Sequence, residues 1–98
     1  MIHPTASVSK YSNVDIGTVI LANAVVNVST TIGKGCILNI NSSVDHDCNI
    51  CQGVHISSGV VIRSMVNIGE LSTIDAGACV TAQKVLKDKS FVQAGKVF

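Results

Sequence analysis

Charge is scarce in this chain. Lys and Arg number seven and Asp and Glu six, 13% of 98 residues, for a net charge of +1. Charges so few and so evenly balanced make no basic face, so neither nucleic acid nor an anionic membrane is expected as a partner. Long apolar runs are missing as well. The longest, Val19 to Val28, is broken by Asn23 and Asn27 and is far too short to cross a bilayer. Met1 to Lys10 does not read as a signal peptide, so a cytoplasmic protein is expected. Residues 1–98 are too few to support two cores, which leaves a single domain.

What the chain does have is a period of six. Every sixth residue from Ile2 is Val, Ile, Leu or Phe: Ile2, Val8, Val14, Ile20, Val26, Ile32, Leu38, Val44, Ile50, Ile56, Ile62, Ile68, Ile74, Val80, Leu86, Val92 and Phe98. With those four types at about a third of all residues, so long an unbroken column has a chance probability on the order of 10⁻⁸. Six fits neither the 3.6 of a helix nor the plain alternation of a strand. It is the hexapeptide repeat of a parallel β-helix, an all-β fold whose coils bury surface only by stacking on their neighbours.

A second column lies four residues after each aliphatic. From Ala6 to Ala78 its members are small or β-branched, as a crowded interior corner requires; it then fails at Lys84, Ser90 and Lys96. Gly17, Gly35, Gly53, Gly59, Gly77 and Gly95 share offset three, where the chain is expected to bend because a Cβ would clash; only Gly33 and Gly69 lie at offset one. Each hexapeptide is then one short strand and one corner, and three make a triangular coil of eighteen residues. Four to five such coils are predicted over residues 2–82, followed by a polar C-terminal tail at 83–98.

Cys36 and Cys48 fall in the small interior column and should pack there as reduced, modest hydrophobes. Cys48-Asn49-Ile50-Cys51 has zinc-knuckle spacing, but no second pair completes a four-ligand site and the two side chains occupy different columns. No metal is expected. His46 stands between Asp45 and Asp47 at a corner, which fits either a solvated turn or a histidine base with a carboxylate partner. Alternation would put Asp47 on the opposite face from His46 unless the backbone turns there, so Asp45 is a rival partner.

The stretch Ser42-Ser43-Val44-Asp45-His46-Asp47-Cys48-Asn49-Ile50 resembles the active-site segment of the bacterial hexapeptide-repeat acyltransferases, in particular the sialic acid O-acetyltransferase and amino-sugar N-acetyltransferase group. Gly53-Val54-His55-Ile56-Ser57-Ser58-Gly59 continues the resemblance, and Ile2-His3-Pro4-Thr5-Ala6 is similar to the opening of that family's β-helix. The general crossover rule makes parallel connections right-handed; the resemblance implies a left-handed β-helix. It also implies an acetyl-CoA-dependent acyltransferase acting on an amino or hydroxyl acceptor such as a sugar. In it His46 is the general base and Asp47 its partner, while His55 and the main chain of Ala76 contact acetyl-CoA. His55 is otherwise a residue that fills a subunit interface, and His3 is structural.

The prism's flat aliphatic faces and the family pattern together imply a homotrimer with sites between subunits. Relative to the family the repeat is shortened, begins without the usual N-terminal nucleotide-sugar-binding domain, and ends without the proline of the family's Gly-x-Pro-Ala-Lys motif. Those departures keep a second reading open, a non-catalytic trimeric β-helix serving as a structural or binding module.

Overall fold

The structure, a computed structural model, describes all 98 residues. Fifteen two-residue strands form three parallel five-stranded sheets, and strands separated by eighteen residues lie side by side. Sheet I holds Ser7–Val8, Val25–Val26, Ser43–Val44, Val61–Ile62 and Cys79–Val80. Sheet II runs from Asn13–Val14 through Thr31–Ile32, Asn49–Ile50 and Asn67–Ile68 to Val85–Leu86. Sheet III stacks Val19–Ile20, Ile37–Leu38, His55–Ile56, Thr73–Ile74 and Phe91–Val92. The result is a left-handed β-helix of about five turns, an exception to the usual right-handed crossover. No helix is present that could cross a membrane.

The period of six explains the packing. The second residue of each strand points inward, and from Ile20 to Val80 that column is 0–1% exposed. The small column four residues later is buried with it, including the hydroxyls of Thr18, Thr30, Ser42 and Ser72. Those hydroxyls do not stand idle: no buried side-chain nitrogen or oxygen lacks a hydrogen-bond partner.

Every left-handed residue in the chain lies at offset three of a hexapeptide, where φ falls between 58° and 80°. Eight of them, Asp47, Met65 and Leu71 among them, are not glycine. The bend is therefore a matter of φ, and the expected steric exclusion of a Cβ is not its cause: a Cβ built on Gly35 or Gly77 would meet nothing within 4 Å. Space is the constraint at offset one instead. A Cβ on Gly33 would lie 2.7 Å from the main-chain nitrogen of Gln52 in the next coil.

The coils do not stop near residue 82. Val85–Leu86 pairs with Asn67–Ile68, Phe91–Val92 pairs with Thr73–Ile74, and Leu86 and Val92 are 6% and 3% exposed. The segment expected to be a tail is a further coil, because the aliphatic column continues through it. Lys84 and Lys96 disrupt only the small column, and both are exposed. The Lys84 ammonium lies 5.5 Å from the centre of the Phe98 ring.

Candidate active site

The corner between sheets I and II carries the histidine. In the third coil it is Asp45-His46-Asp47-Cys48, with Asn27-Val28-Ser29-Thr30 stacked on one side and Arg63-Ser64-Met65-Val66 on the other. Asp47 has φ of 59°, so the backbone does turn where the Asp47 side chain would otherwise face away from His46. Its carboxylate Oδ2 lies 2.9 Å from His46 Nδ1. A carboxylate can only accept, so Nδ1 carries the proton and donates it to Asp47, which leaves the lone pair on Nε2. His46 and Asp47 are 42% and 55% exposed, open enough to meet a substrate.

The rival carboxylate has a different task. Asp45 Oδ1 accepts the main-chain N–H of His46 at 2.8 Å and the side-chain amide of Asn27 at 3.1 Å. The first of these holds the Asp45 carboxyl below the usual carboxylate range, with the Asn27 amide and the charges of His46 and Arg63 adding to it. The same offset-one cap recurs where no histidine follows: Asp15, Asn27, Asn39 and Asp75 each accept the next residue's N–H at 2.7 Å. Asp45 is thus a corner cap of the repeat, and Asp47 is the residue paired with the imidazole.

Other residues singled out from sequence lie elsewhere. His55 points outward from sheet III, half-buried between Ile37 and Thr73 in the neighbouring strands. That sheet is the face opposite the His46 corner, so one chain does not bring the two histidines together. Ala76 sits at the corner that follows sheet III. Its N–H is taken by Asp75 Oδ1 at 2.7 Å and its carbonyl accepts from the Gly95 N–H at 3.0 Å. Only a carbonyl lone pair remains there for a cofactor. His3 Nδ1 is 3.0 Å from Thr5 Oγ1 and accepts the Thr5 N–H at 3.1 Å, a local entrance-turn contact.

All four cysteines are free. Burial raises the thiol pKa of Cys36, Cys48 and Cys51, which keeps them protonated. Cys48 points inward and its thiol donates to Arg63 O, away from the half-buried Cys51. Beside the His46 corner, Val25, Asn27, Ser43, Asp45, Val61 and Arg63 line a groove of about 250 Å³ across sheet I. The polar edge formed by Asn27 and Arg63 was not expected from sequence. The only signal for it is that both share the offset of Asp45, one coil below and one above.

Models of known protein families match nowhere on the chain. Solved structures do match. The acetyltransferase domain of PglB from Neisseria gonorrhoeae, with acetyl coenzyme A, is 38% identical with a TM-score of 0.95, over 96% of this chain and 46% of that one. The same domain without the ligand gives 37% identity and a TM-score of 0.97 over 100% of this chain and 48% of that one. In sequence and in fold the chain matches the β-helix domain of the hexapeptide-repeat acetyltransferases. PerB from Caulobacter crescentus, in complex with CoA and GDP-perosamine, is 28% identical with a TM-score of 0.92, over 99% of this chain and 47% of that one. The chain thus spans under half the length of each, while the match takes in 96–100% of the chain, in keeping with a resemblance that runs over nearly its whole length.

Proposed function

We propose that this β-helix is an acetyl-CoA-dependent acetyltransferase that acetylates an amino group on a sugar, with His46 as general base. The observation that carries this reading is the His46 Nδ1–Asp47 Oδ2 pair, 2.9 Å long, on a solvent-open corner. It stands on a chain that is 38% identical to the acetyltransferase domain of PglB and 28% identical to a GDP-perosamine N-acetyltransferase, with the same fold as both.

The chemistry follows from the free Nε2. A neutral acceptor amine attacks the thioester carbonyl carbon, forming a C–N bond and a tetrahedral oxyanion. Nε2 takes the proton that the nitrogen must lose, and Asp47 opposes the imidazolium so formed. As the oxyanion collapses, the C–S bond breaks and the thiolate receives the proton back from His46. Nothing in the sequence is changed over the cycle, and no metal is required by it.

His55 and Ala76 belong in this reading to the acetyl-CoA side, contributed by a second copy of the chain. A homotrimer that lays sheet III of one subunit against the His46 corner of the next joins residues that a single prism keeps on opposite sides. Exposed aliphatics on the outer faces, Val25, Ile37 and Val61 among them, supply apolar surface for such a contact. Sedimentation equilibrium showing a monomer at micromolar concentration would remove the shared site.

The decisive experiment pairs calorimetric titration of acetyl-CoA with an assay of CoA thiol release over a panel of amino sugars. His46→Ala should lower acetyl transfer about 10²–10⁴-fold while leaving the melting temperature nearly unchanged, because its side chain lies outside both interior columns. Full activity in that variant would end the assignment of His46 as base. Failure of the wild type to bind CoA would end the acetyltransferase reading altogether.

A further inference from the structure

The small interior column contains a residue whose bonds reach the reacting corner from behind. Thr30 is completely buried, one coil below Cys48. Its hydroxyl donates to the Asp45 carbonyl at 2.6 Å and accepts the Cys48 N–H at 3.3 Å. One oxygen therefore ties both ends of the four-residue corner that carries His46 and Asp47. Further bonds act inside the corner: Asp47 N–H donates to Val28 O at 3.1 Å, and His46 O accepts from Met65 N–H at 3.1 Å. None of these fixes both ends at once.

The fold repeats this clamp where there is nothing reactive to hold. Thr18 donates to Gly33 O at 2.7 Å and accepts the Cys36 N–H at 3.2 Å. That corner reads Gly33-Lys34-Gly35-Cys36 and contains no acid–base pair. The thiols of Cys36 and Cys48 make the donor half of the clamp, to Cys51 O at 3.0 Å and to Arg63 O at 3.1 Å. Cysteine thus fits the column, and its sulfur is a weaker acceptor than a hydroxyl oxygen for the main-chain N–H of the coil above. Ser72 makes the full clamp too, donating to Lys87 O and accepting the Ser90 N–H, both at 3.1 Å, so the repeats supply one full clamp under His46, two at inert corners and two thiol versions.

We propose that Thr30 is a positioning residue for the acetyl-transfer step, fixing the corner on which His46 and Asp47 meet. It touches neither substrate nor reacting atom and acts through the main chain of residues 45 and 48. A base must sit within a few tenths of an ångström of its proton, and misplacement by about 1 Å can cost on the order of 10²-fold in rate. Without the clamp the ends are held only by their ladder bonds, Asp45 N–H to Ile62 O and Thr31 N–H to Cys48 O, both at 2.9 Å, and the imidazole can shift on the corner between them. Acetyl-CoA binding does not depend on the clamp, so the loss should fall on kcat. This inference rests on the acetyltransferase reading above.

The test compares Thr30→Val, Thr30→Cys and Thr30→Ser with Thr18→Val in the full chain, measuring melting temperature, kcat and the KM for acetyl-CoA. Thr30→Val and Thr18→Val each strand a buried carbonyl and a buried N–H, so both should lower the melting temperature by similar amounts. Only Thr30→Val should lower kcat, by about 10- to 100-fold, with KM unchanged. Thr30→Ser, which restores the hydroxyl, should recover most of the rate. Thr30→Cys keeps the donor and weakens the acceptor, so it should fall between them, and it decides the matter if Thr30→Val does not fold. Equal kcat losses in Thr30→Val and Thr18→Val would reduce Thr30 to a generic stabilising group and overturn the proposal. So would a wild-type kcat in Thr30→Cys while His46→Ala is inactive. A wild type that transfers no acetyl group overturns the acetyltransferase reading first, and Thr30's role with it.

Discussion

Asp45→Asn and Asp47→Asn change the same group on either side of one histidine, and the structure separates their effects. At position 45 the carboxylate caps the His46 N–H at 2.8 Å. An amide oxygen makes that bond equally well in this fold, because Asn27 and Asn39 cap the residues after them at 2.7 Å. Asp45→Asn should therefore leave kcat within about twofold of wild type, the loss of one exposed charge being worth a fraction of a kcal/mol. At position 47 the backbone is left-handed, with φ of 59°, a conformation that Asn tolerates better than most side chains. The corner should survive the change.

In the proposed reaction, Asp47→Asn removes the charge that faces the imidazolium in the transition state. The two side chains are 42% and 55% exposed, so the pair is worth what a surface pair is worth, about 0.2–1 kcal/mol. At 1.36 kcal/mol per tenfold in rate, that is roughly 1.4- to 5-fold in kcat. A second loss comes from the amide itself, which can present its NH₂ to Nδ1 and draw the proton onto Nε2, the atom proposed as the base. Together they predict a loss of about 5- to 20-fold at low salt. Raising the ionic strength should lower the wild-type rate toward the variant's, since salt screens an exposed pair. The assay is CoA thiol release at saturating acetyl-CoA and acceptor. If Asp45→Asn is the slower of the two variants, the pairing of Asp47 with His46 is not the one that works in catalysis.

Ile50 is 1% exposed in the middle of the stack, so Ile50→Asp should unfold the domain at room temperature, a cost of several kcal/mol for an unpaired buried carboxylate. Lys84→Asp, at an exposed position, should shift the melting temperature by little, and equal melting curves for the two would disprove the register. Leu86→Ala should cost about 2 kcal/mol in denaturant unfolding, toward the low end for a buried leucine because an end coil relaxes; no effect would return residues 83–98 to the status of a tail. Asp45 has a folded pKa depressed below its unfolded value, so its contribution to stability is present above the ordinary carboxylate range and is lost as pH falls toward the lowered value. Thermal melts from neutral to acid pH should show that loss in wild type and a flatter acid limb in Asp45→Asn.

A period states which residue lies above which, and that much of the molecule was open to reading from the column Ile2 to Phe98. It gave the fold class, the triangular coil, the inward faces and the stacking of residue i on residue i+18. It misplaced the end of the coils because two columns disagreed there. The aliphatic column, which keeps Leu86 and Val92 buried, outweighs a small column whose lysines are exposed.

The site was harder to read, for a reason that one residue displays. Whether Asp47 faces His46 depends on φ at position 47, and no period of hydrophobicity reports φ. The signal was present in another form, since six glycines at offset three mark the left-handed corner, and Asp47 shares that offset. Combining the two leads to Asp47 over Asp45, the choice that the family resemblance also implies. Thr30 was visible too, as one small residue among thirteen in its column, and composition alone offers no reason to prefer it to Thr18. What distinguishes it is the identity of the corner one coil above. On the role proposed for Thr30, support for His46 comes along the stacking axis, through bonds that span 15 and 18 residues, where the chain order would not suggest it.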